Sequence, residues 1–224
     1  DNTPTFSGNA APNSTLTVYD NGVPVATVPV DGSGNWSYTP GTALGEGSHS
    51  ITFTVDNGSG PSAPSAPFVV TVDTAAPDAA ANIVIVDDKA PGVGLITNGG
   101  LTNDGTPIIS GTAEPGSTVT IYDGNNVIGT VTAGTDGQWG FIPTTPLGDG
   151  SHTISTTVTD AAGNVSGASP DYVLVVDGTA PDPVTMLIAT DNEAPNVGTI
   201  VSGESTNDST PILSGKAEAG AQVI

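Results

Sequence analysis

Apolar residues in this chain fall in short alternating runs, each closed by Gly, Asn, Asp or Pro. The stretch 118–122 reads Thr-Val-Thr-Ile-Tyr, with an apolar side chain at every second position. That period belongs to a strand with one face on a core and the other in water. No stretch carries a 3.6-residue period, so no helix is expected. Between 74 and 177 the pattern predicts strands over 83–86, 107–112, 118–122, 127–132, 138–142, 152–159 and 171–176. Residues 87–104 read as one long polar connection between the first two strands. The turns 123–126 and 135–137 carry Gly or Asn, which accept the positive φ of hairpin turns. Short strands with a turn signal about every ten residues predict an all-β fold, a two-sheet immunoglobulin-like sandwich. Trp139, near a strand centre, is expected to fill its core.

The pattern then repeats. Residues 104–123 restate residues 1–20, and the motif starts again at Asp208-Ser-Thr-Pro. Trp36 pairs with Trp139, His49 with His152, Asp73 with Asp177, and Phe68 with Tyr172. The period is about 100 residues, the size of a whole domain rather than a solenoid turn. We read 1–73 as a repeat lacking its N-terminal segment, 74–177 as a complete repeat, and 178–224 as the N-terminal part of a third. The chain is then a slice of a longer array. Its third copy reaches two strands, and either leaves its sheet edges open or pairs with the first copy of another molecule. Up-and-down strand order sends chain entry and exit to opposite poles, so the domains are expected to stack end to end. Aromatics held in register argue for packed cores and against a disordered acidic chain.

Charge narrows the function. The chain has 23 acidic residues against 2 basic ones, a net charge of -21. Nucleic-acid binding needs a basic face, so it is excluded. An anionic membrane surface would repel the chain, and no apolar run approaches the roughly 20 residues that span a bilayer. With 0 cysteines, no disulfide staples the fold. Most of the acids are Asp, a short residue that suits both turns and hard cations.

The acids gather at the predicted poles. The linkers 73–78 and 177–182 each set two Asp around a proline: Asp73 with Asp78, and Asp177 with Asp182. The loop Asp160-Ala-Ala-Gly-Asn164 is expected to hang over the first linker. Unpaired clustered carboxylates repel one another, and a divalent cation resolves the conflict. Calcium takes six to eight oxygens in flexible geometry, so Ca2+ is the expected cofactor. The competing reading makes these Asp residues solvated turn caps. A second, weaker cation cluster is expected at the far pole, from Asp87, Asp88 and Asp104, with Asp191 and Asp208 in the third copy. Lys89 competes there as a built-in cation. The spacing matches neither an EF-hand loop nor a nonapeptide β-helix repeat.

Enzyme signatures are missing: there is no Cys nucleophile, phosphate loop or His cluster for zinc. His49 and His152 share one repeat position and read as structural residues. The main competitor to a structural role is a repeat that itself binds a glycan or a host protein. Sugar sites show exposed aromatics, whereas the few here recur in register, as core residues do.

Taken together, Gly-Thr-Ala-Glu-Pro-Gly-Ser-Thr-Val (111–119), Asp-Gly-Gln-Trp (136–139), Asp-Gly-Ser-His-Thr-Ile (149–154), Thr-Asp-Ala-Ala-Gly-Asn (159–164) and Asp-Gly-Thr-Ala-Pro-Asp (177–182) resemble bacterial immunoglobulin-like repeats. Such repeats occur in giant type I-secreted non-fimbrial adhesins and biofilm-associated surface proteins. The resemblance implies an Ig-like sandwich, calcium at the junctions and a stiff extender at the cell surface. The partners it implies are neighbouring repeats and, through other parts of the protein, a host cell or biofilm matrix. Its junction ligands map onto Asp73, Asp78, Asp160, Asn164, Asp177 and Asp182. The first copy departs from it, with Asp56-Asn-Gly-Ser-Gly60 where the second has Asp160-Ala-Ala-Gly-Asn164.

Overall fold

A computed structural model describes residues 1–195 and 197–223, and the regular structure among them is all β. The first copy holds β1 (Phe6–Asn9), β2 (Thr15–Asp20), β3 (Val23–Pro29), β4 (Asn35–Tyr38), β5 (Gly47–Asp56) and β6 (Phe68–Val72). The second holds β7 (Ala81–Asp87), β8 (Gly94–Ile96), β9 (Gly100–Thr102), β10 (Ile108–Thr112) and β11 (Thr118–Asp123). It continues through β12 (Asn126–Thr132), β13 (Gln138–Phe141), β14 (Gly150–Thr159) and β15 (Tyr172–Val176). The third contributes β16 (Thr185–Asp191), β17 (Gly198–Ile200) and β18 (Ile212–Lys216).

The central copy is a sandwich of two sheets, ordered β13-β10-β7-β8 and β12-β11-β14-β15-β9. Alternation puts Val119 and Ile121 of β11 and Ile154 and Val158 of β14 on the inner face of one sheet. Ile85 and Ile109 meet them from the other, and Trp139 closes the same core. Trp139 is 5% exposed. Its indole lies over Gly111, its register partner, where a Cβ would come within 2.8 Å of the ring. Only glycine admits that approach, and Gly8 and Trp36 repeat the pairing in the first copy. The first copy builds its core from Phe6, Leu16, Val18, Val30 and Ile51 between sheets β1-β4 and β3-β2-β5-β6.

Three expectations change. The connection 87–104 is not all loop: it contains β8 and β9, three residues each. β8 edges the first sheet, and β9 crosses to the second to pair in parallel with β15. Three residues flanked by glycine are too few to show alternation, which is why the pattern hid them. For the same reason the third copy holds β17 besides its two expected strands. Phe68, read as a core aromatic, is 59% exposed. Its counterpart Tyr172 instead donates its hydroxyl to the Ile96 carbonyl of β8.

One bulge also recurs. Register slips in β7–β10 and again in β16–β18. The residues that absorb the slips are Asn82 at φ 52° and Met186 at φ 54°. Asn tolerates this left-handed region and Met does not, by about 1–2 kcal/mol for an ordinary L-residue. Met186→Asn is therefore expected to slow amide exchange across β16–β18 about fivefold, the factor for roughly 1 kcal/mol. Unchanged exchange would show that the bulge stores no strain.

β14 fixes the ends of the domain. Its ten residues span about 33 Å. The incoming linker meets the loop after Thr159, and the outgoing linker meets Asp149, just before Gly150. Entry and exit lie at opposite poles.

Candidate functional site

At the entry pole the loop after β14 folds on itself. Asp160 Oδ1 accepts the Asn164 amide at 2.8 Å, and Gly163 supplies the positive φ of 94° that closes the turn. Asn164 Nδ2 then reaches three acceptors: Asp160 Oδ2 at 2.8 Å, the Asp73 carbonyl at 3.1 Å and Asp73 Oδ1 at 3.5 Å. The Asn164 side-chain hydrogen bond, ahead of the loop amides, holds the Asp160 carboxyl below its ordinary range. One amide nitrogen thus stands where three oxygens from two domains converge. Turning the Asn164 amide about its last bond would put Oδ1 in that place and leave oxygens only, a set that suits a hard cation.

Other expected ligands are placed differently. Asp78 is exposed and lines a cavity with Thr112 and Glu114. Asp182, its counterpart, lies beside Glu218, whose carboxylate accepts the Asp182 amide at 3.4 Å. Asp177 is exposed and uses Oδ1 on the Thr179 amide at 3.3 Å. Among the described residues no group of three or more His, Cys, Asp or Glu side chains is placed to hold a metal. Any cation site here would have to draw on amide and backbone oxygens as well.

The far-pole acids are more deeply set. Asp87 and Asp104 are each 2% exposed. Thr102 joins them: its hydroxyl donates to Asp87 Oδ2 at 2.5 Å and accepts the Asp104 amide at 3.0 Å. Asp87 Oδ1 accepts the Lys89 amide at 2.8 Å, and Asp104 Oδ1 accepts the Thr106 amide at 2.8 Å. Asp88 contributes only its amide, 3.4 Å from Asp104 Oδ2. The Lys89 ammonium donates to the Asn103 carbonyl at 3.0 Å, while Asn103 Oδ1 is buried without a partner. The third copy rebuilds the arrangement with Asp191, Thr206 and Asp208, and has Glu193 where the second has Lys89. Backbone donation, first from the Thr210 amide, holds the Asp208 carboxyl low.

Two features escaped the sequence reading. The first is a clamp at each linker. Glu46 receives the Thr74 amide, at 3.2 Å and 3.1 Å to its two oxygens, and the Thr74 hydroxyl. Asp149 receives the Gly178 amide at 2.8 Å and the Thr179 hydroxyl. In both cases the threonine hydroxyl is the leading cause of a lowered carboxyl pKa. The second is a pair of half-buried His–Asp contacts. His49 Nδ1 lies 2.7 Å from Asp20 Oδ2, and His152 Nδ1 lies 2.7 Å from Asp123 Oδ2. The shared motif Glu46-Gly-Ser-His49 and Asp149-Gly-Ser-His152 was the available signal for both.

Two strand layers around a buried tryptophan, closed by an edge strand split between the sheets, make the central unit an immunoglobulin-type sandwich, and the linkers join it to the repeats on either side. The chain belongs to the bacterial Ig-like domain family, whose model matches residues 1–74 and 81–178. The resemblance carried by the repeated motifs is thereby shown. No curated protein matches the sequence. Similar solved structures include fibronectin(III)-like modules of Clostridium thermocellum CbhA, at 16% identity and TM-score 0.43, over 77% of this chain and 85% of that one. The BSP domain of a biofilm associated protein is similar at 28% identity and TM-score 0.31, over 81% of this chain and 28% of that one. A tetra-tandem repeat from the extending region of a large adhesion protein is similar at 20% identity and TM-score 0.33, over 96% of this chain and 59% of that one. The chain spans less than two thirds of the length of the last two.

Proposed function

We propose that these are extender repeats of a large bacterial surface adhesin. Calcium stiffens the junctions, and the resulting rod projects a distal binding region for cell adhesion or biofilm formation. The observation that carries this reading is the convergence of Asp73 and Asp160 oxygens on Asn164 Nδ2, across the boundary between two domains. Without metal, like charges face each other over the linker. With calcium the same oxygens bind one ion and fix the angle between the domains. Asp78 and Asp182 supply charge at the entry poles, and Asp177 at the exit. The far-pole sets are the weaker sites: Asp87, Asp88 and Asp104 share their field with Lys89, whereas Asp191 and Asp208 have Glu193 beside them. Free calcium is scarce inside cells and plentiful outside, so stiffening would follow export to the cell surface. Neighbouring repeats are the immediate partners, and host surface or matrix is met by other parts of the protein.

A thermal melt in calcium, in magnesium and in chelator tests this. Saturation at a hundred times Kd stabilises the native state by about 2.7 kcal/mol. For a domain of this size that is a rise in Tm of roughly 10–20 °C. The rise should appear in calcium alone and shrink in Asp160→Ala and Asn164→Ala. Solution scattering should show a longer, straighter particle in calcium. The absence of both the shift and the lengthening would overturn the reading and favour a repeat that itself binds glycan or protein.

A further inference from the structure

Each domain that contains a long central strand holds one histidine on it, and both rings are tied at both nitrogens. His49 Nε2 lies 2.8 Å from the Gly45 carbonyl, opposite its Asp20 contact. His152 Nε2 lies 2.7 Å from the Gly148 carbonyl, opposite Asp123. Carboxylate and carbonyl oxygens only accept, so both ring nitrogens must donate. Only the protonated imidazolium has two N–H groups. A neutral ring leaves one nitrogen lone pair facing an oxygen, and that contact opens.

The carbonyl at stake sits one residue before the linker clamp. Gly45 precedes Glu46, which holds Thr74, and Gly148 precedes Asp149, which holds Gly178 and Thr179. We propose that histidine protonation sets the linker clamp, making each junction a pH-sensitive hinge. In the protonated state the ring anchors the loop, the loop positions the carboxylate, and the carboxylate holds the start of the next linker. Loss of the proton frees the loop at Gly45 or Gly148, and the clamp loosens with it.

The surroundings of the rings fit this role. The neighbouring strands β2 and β11 present Asp20 and Asp123. On the other side, β6 and β15 put the non-ionisable Val70 and Leu174 opposite the histidines. The phenol of Tyr38, from β4, lines the same groove as His49. Glu46 and Asp149 spend their oxygens on the linkers. The Gly45 carbonyl, and then Asp20, raise the pKa of His49 above its ordinary value. At His152 burial works against the charge, but the Asp123 and Gly148 hydrogen bonds outweigh it, and the pKa is again raised. A raised folded-state pKa gives stabilisation that is full below the unfolded value of about 6.5 and is lost as pH rises through the folded value. The hinge is therefore held below the ordinary histidine range and released as pH rises through the raised folded-state values.

The test is a proton NMR titration of residues 1–224 from about pH 5 to pH 9, run in chelator so that calcium plays no part and the two proposals fail separately. Both ring protons should titrate above the ordinary histidine value, and the Thr74 and Thr179 amides should shift at the midpoints of His49 and His152 respectively. In His152→Gln the Thr179 shift should be lost while His49 and Thr74 keep theirs, and unchanged amide positions for the core residues Val119, Ile121 and Val158 would show that the central domain is folded. His49→Gln should give the converse. Linker amides that ignore the histidine midpoints, or that still respond in the variants, would overturn the proposal.

Discussion

Trp139→Ala is expected to destabilise the central domain by about 3–5 kcal/mol, the usual range for removing a buried large aromatic. The indole is 5% exposed and packs in one cluster with Ile85, Ile109, Val119 and Val158. Its loss leaves a void that cannot collapse easily. The facing residue, Gly111, has no side chain to advance, and its backbone is held in register by β13 on one side and sits in the bulge against β7 on the other, close to the Ala81 carbonyl. With a denaturant slope of about 1–3 kcal/mol per molar urea, the midpoint should fall by at least about 1 M. Trp36 remains as a fluorescent reporter of the first copy, whose transition should stay in place. Trp36→Ala should cost less, because Trp36 is only half-buried. A change below about 1 kcal/mol for Trp139→Ala would mean that the sheets hold together without the ring.

Thr102→Val should cost about 2–3 kcal/mol although it removes no volume. The hydroxyl is the joint between two buried acids, donating to Asp87 and accepting from the Asp104 amide. Valine keeps the shape and deletes both contacts. Asp87 Oδ2 then lacks its donor, although Oδ1 keeps the Lys89 amide, and the Asp104 amide lacks an acceptor, penalties that water cannot relieve at 2% exposure. Calorimetry should record a fall in Tm of roughly 10–20 °C for a domain of this size. Thr106→Val is the control: its hydroxyl contact to Asp104 is 3.2 Å, and the Thr106 amide keeps the carboxylate paired at 2.8 Å. Equal losses in the two variants would mean that Thr102 matters only as packing.

The sandwich was legible because period-two alternation survives wherever a strand is long enough to show it, as in β11 and β14. β8 and β9 were not, because three residues beside glycines have no period; their pairing is tertiary. Phe68 shows the opposite limit. Register with Tyr172 fixes where the side chain sits, but not what covers it. At the entry pole, repetition drew attention to Asp73, Asp160 and Asn164, and geometry joined them. Asp78 shares their acidic linker but lines a cavity with Glu114, a neighbour that linker spacing alone does not reveal. The clamps at Glu46 and Asp149 went unread because each partner threonine is distant in sequence and its hydroxyl carries no charge to notice.

Opposite placement of entry and exit has a mechanical consequence. A pull on the array reaches the central domain through the linker before β7 and leaves through the linker after β15, so tension runs along the strands. Hydrogen bonds between strands lie across that direction and are loaded in shear, where a row must break together rather than one bond after another. β15 is held on both sides, by β14 and by the short parallel strand β9, with the Asp177 amide extending that row to the Thr102 carbonyl at 2.8 Å. Resistance to such loading is governed by the unfolding rate rather than by equilibrium stability. Three residues that leave no trace in the hydropathy pattern thus give a second attachment to the strand on which tension leaves the domain.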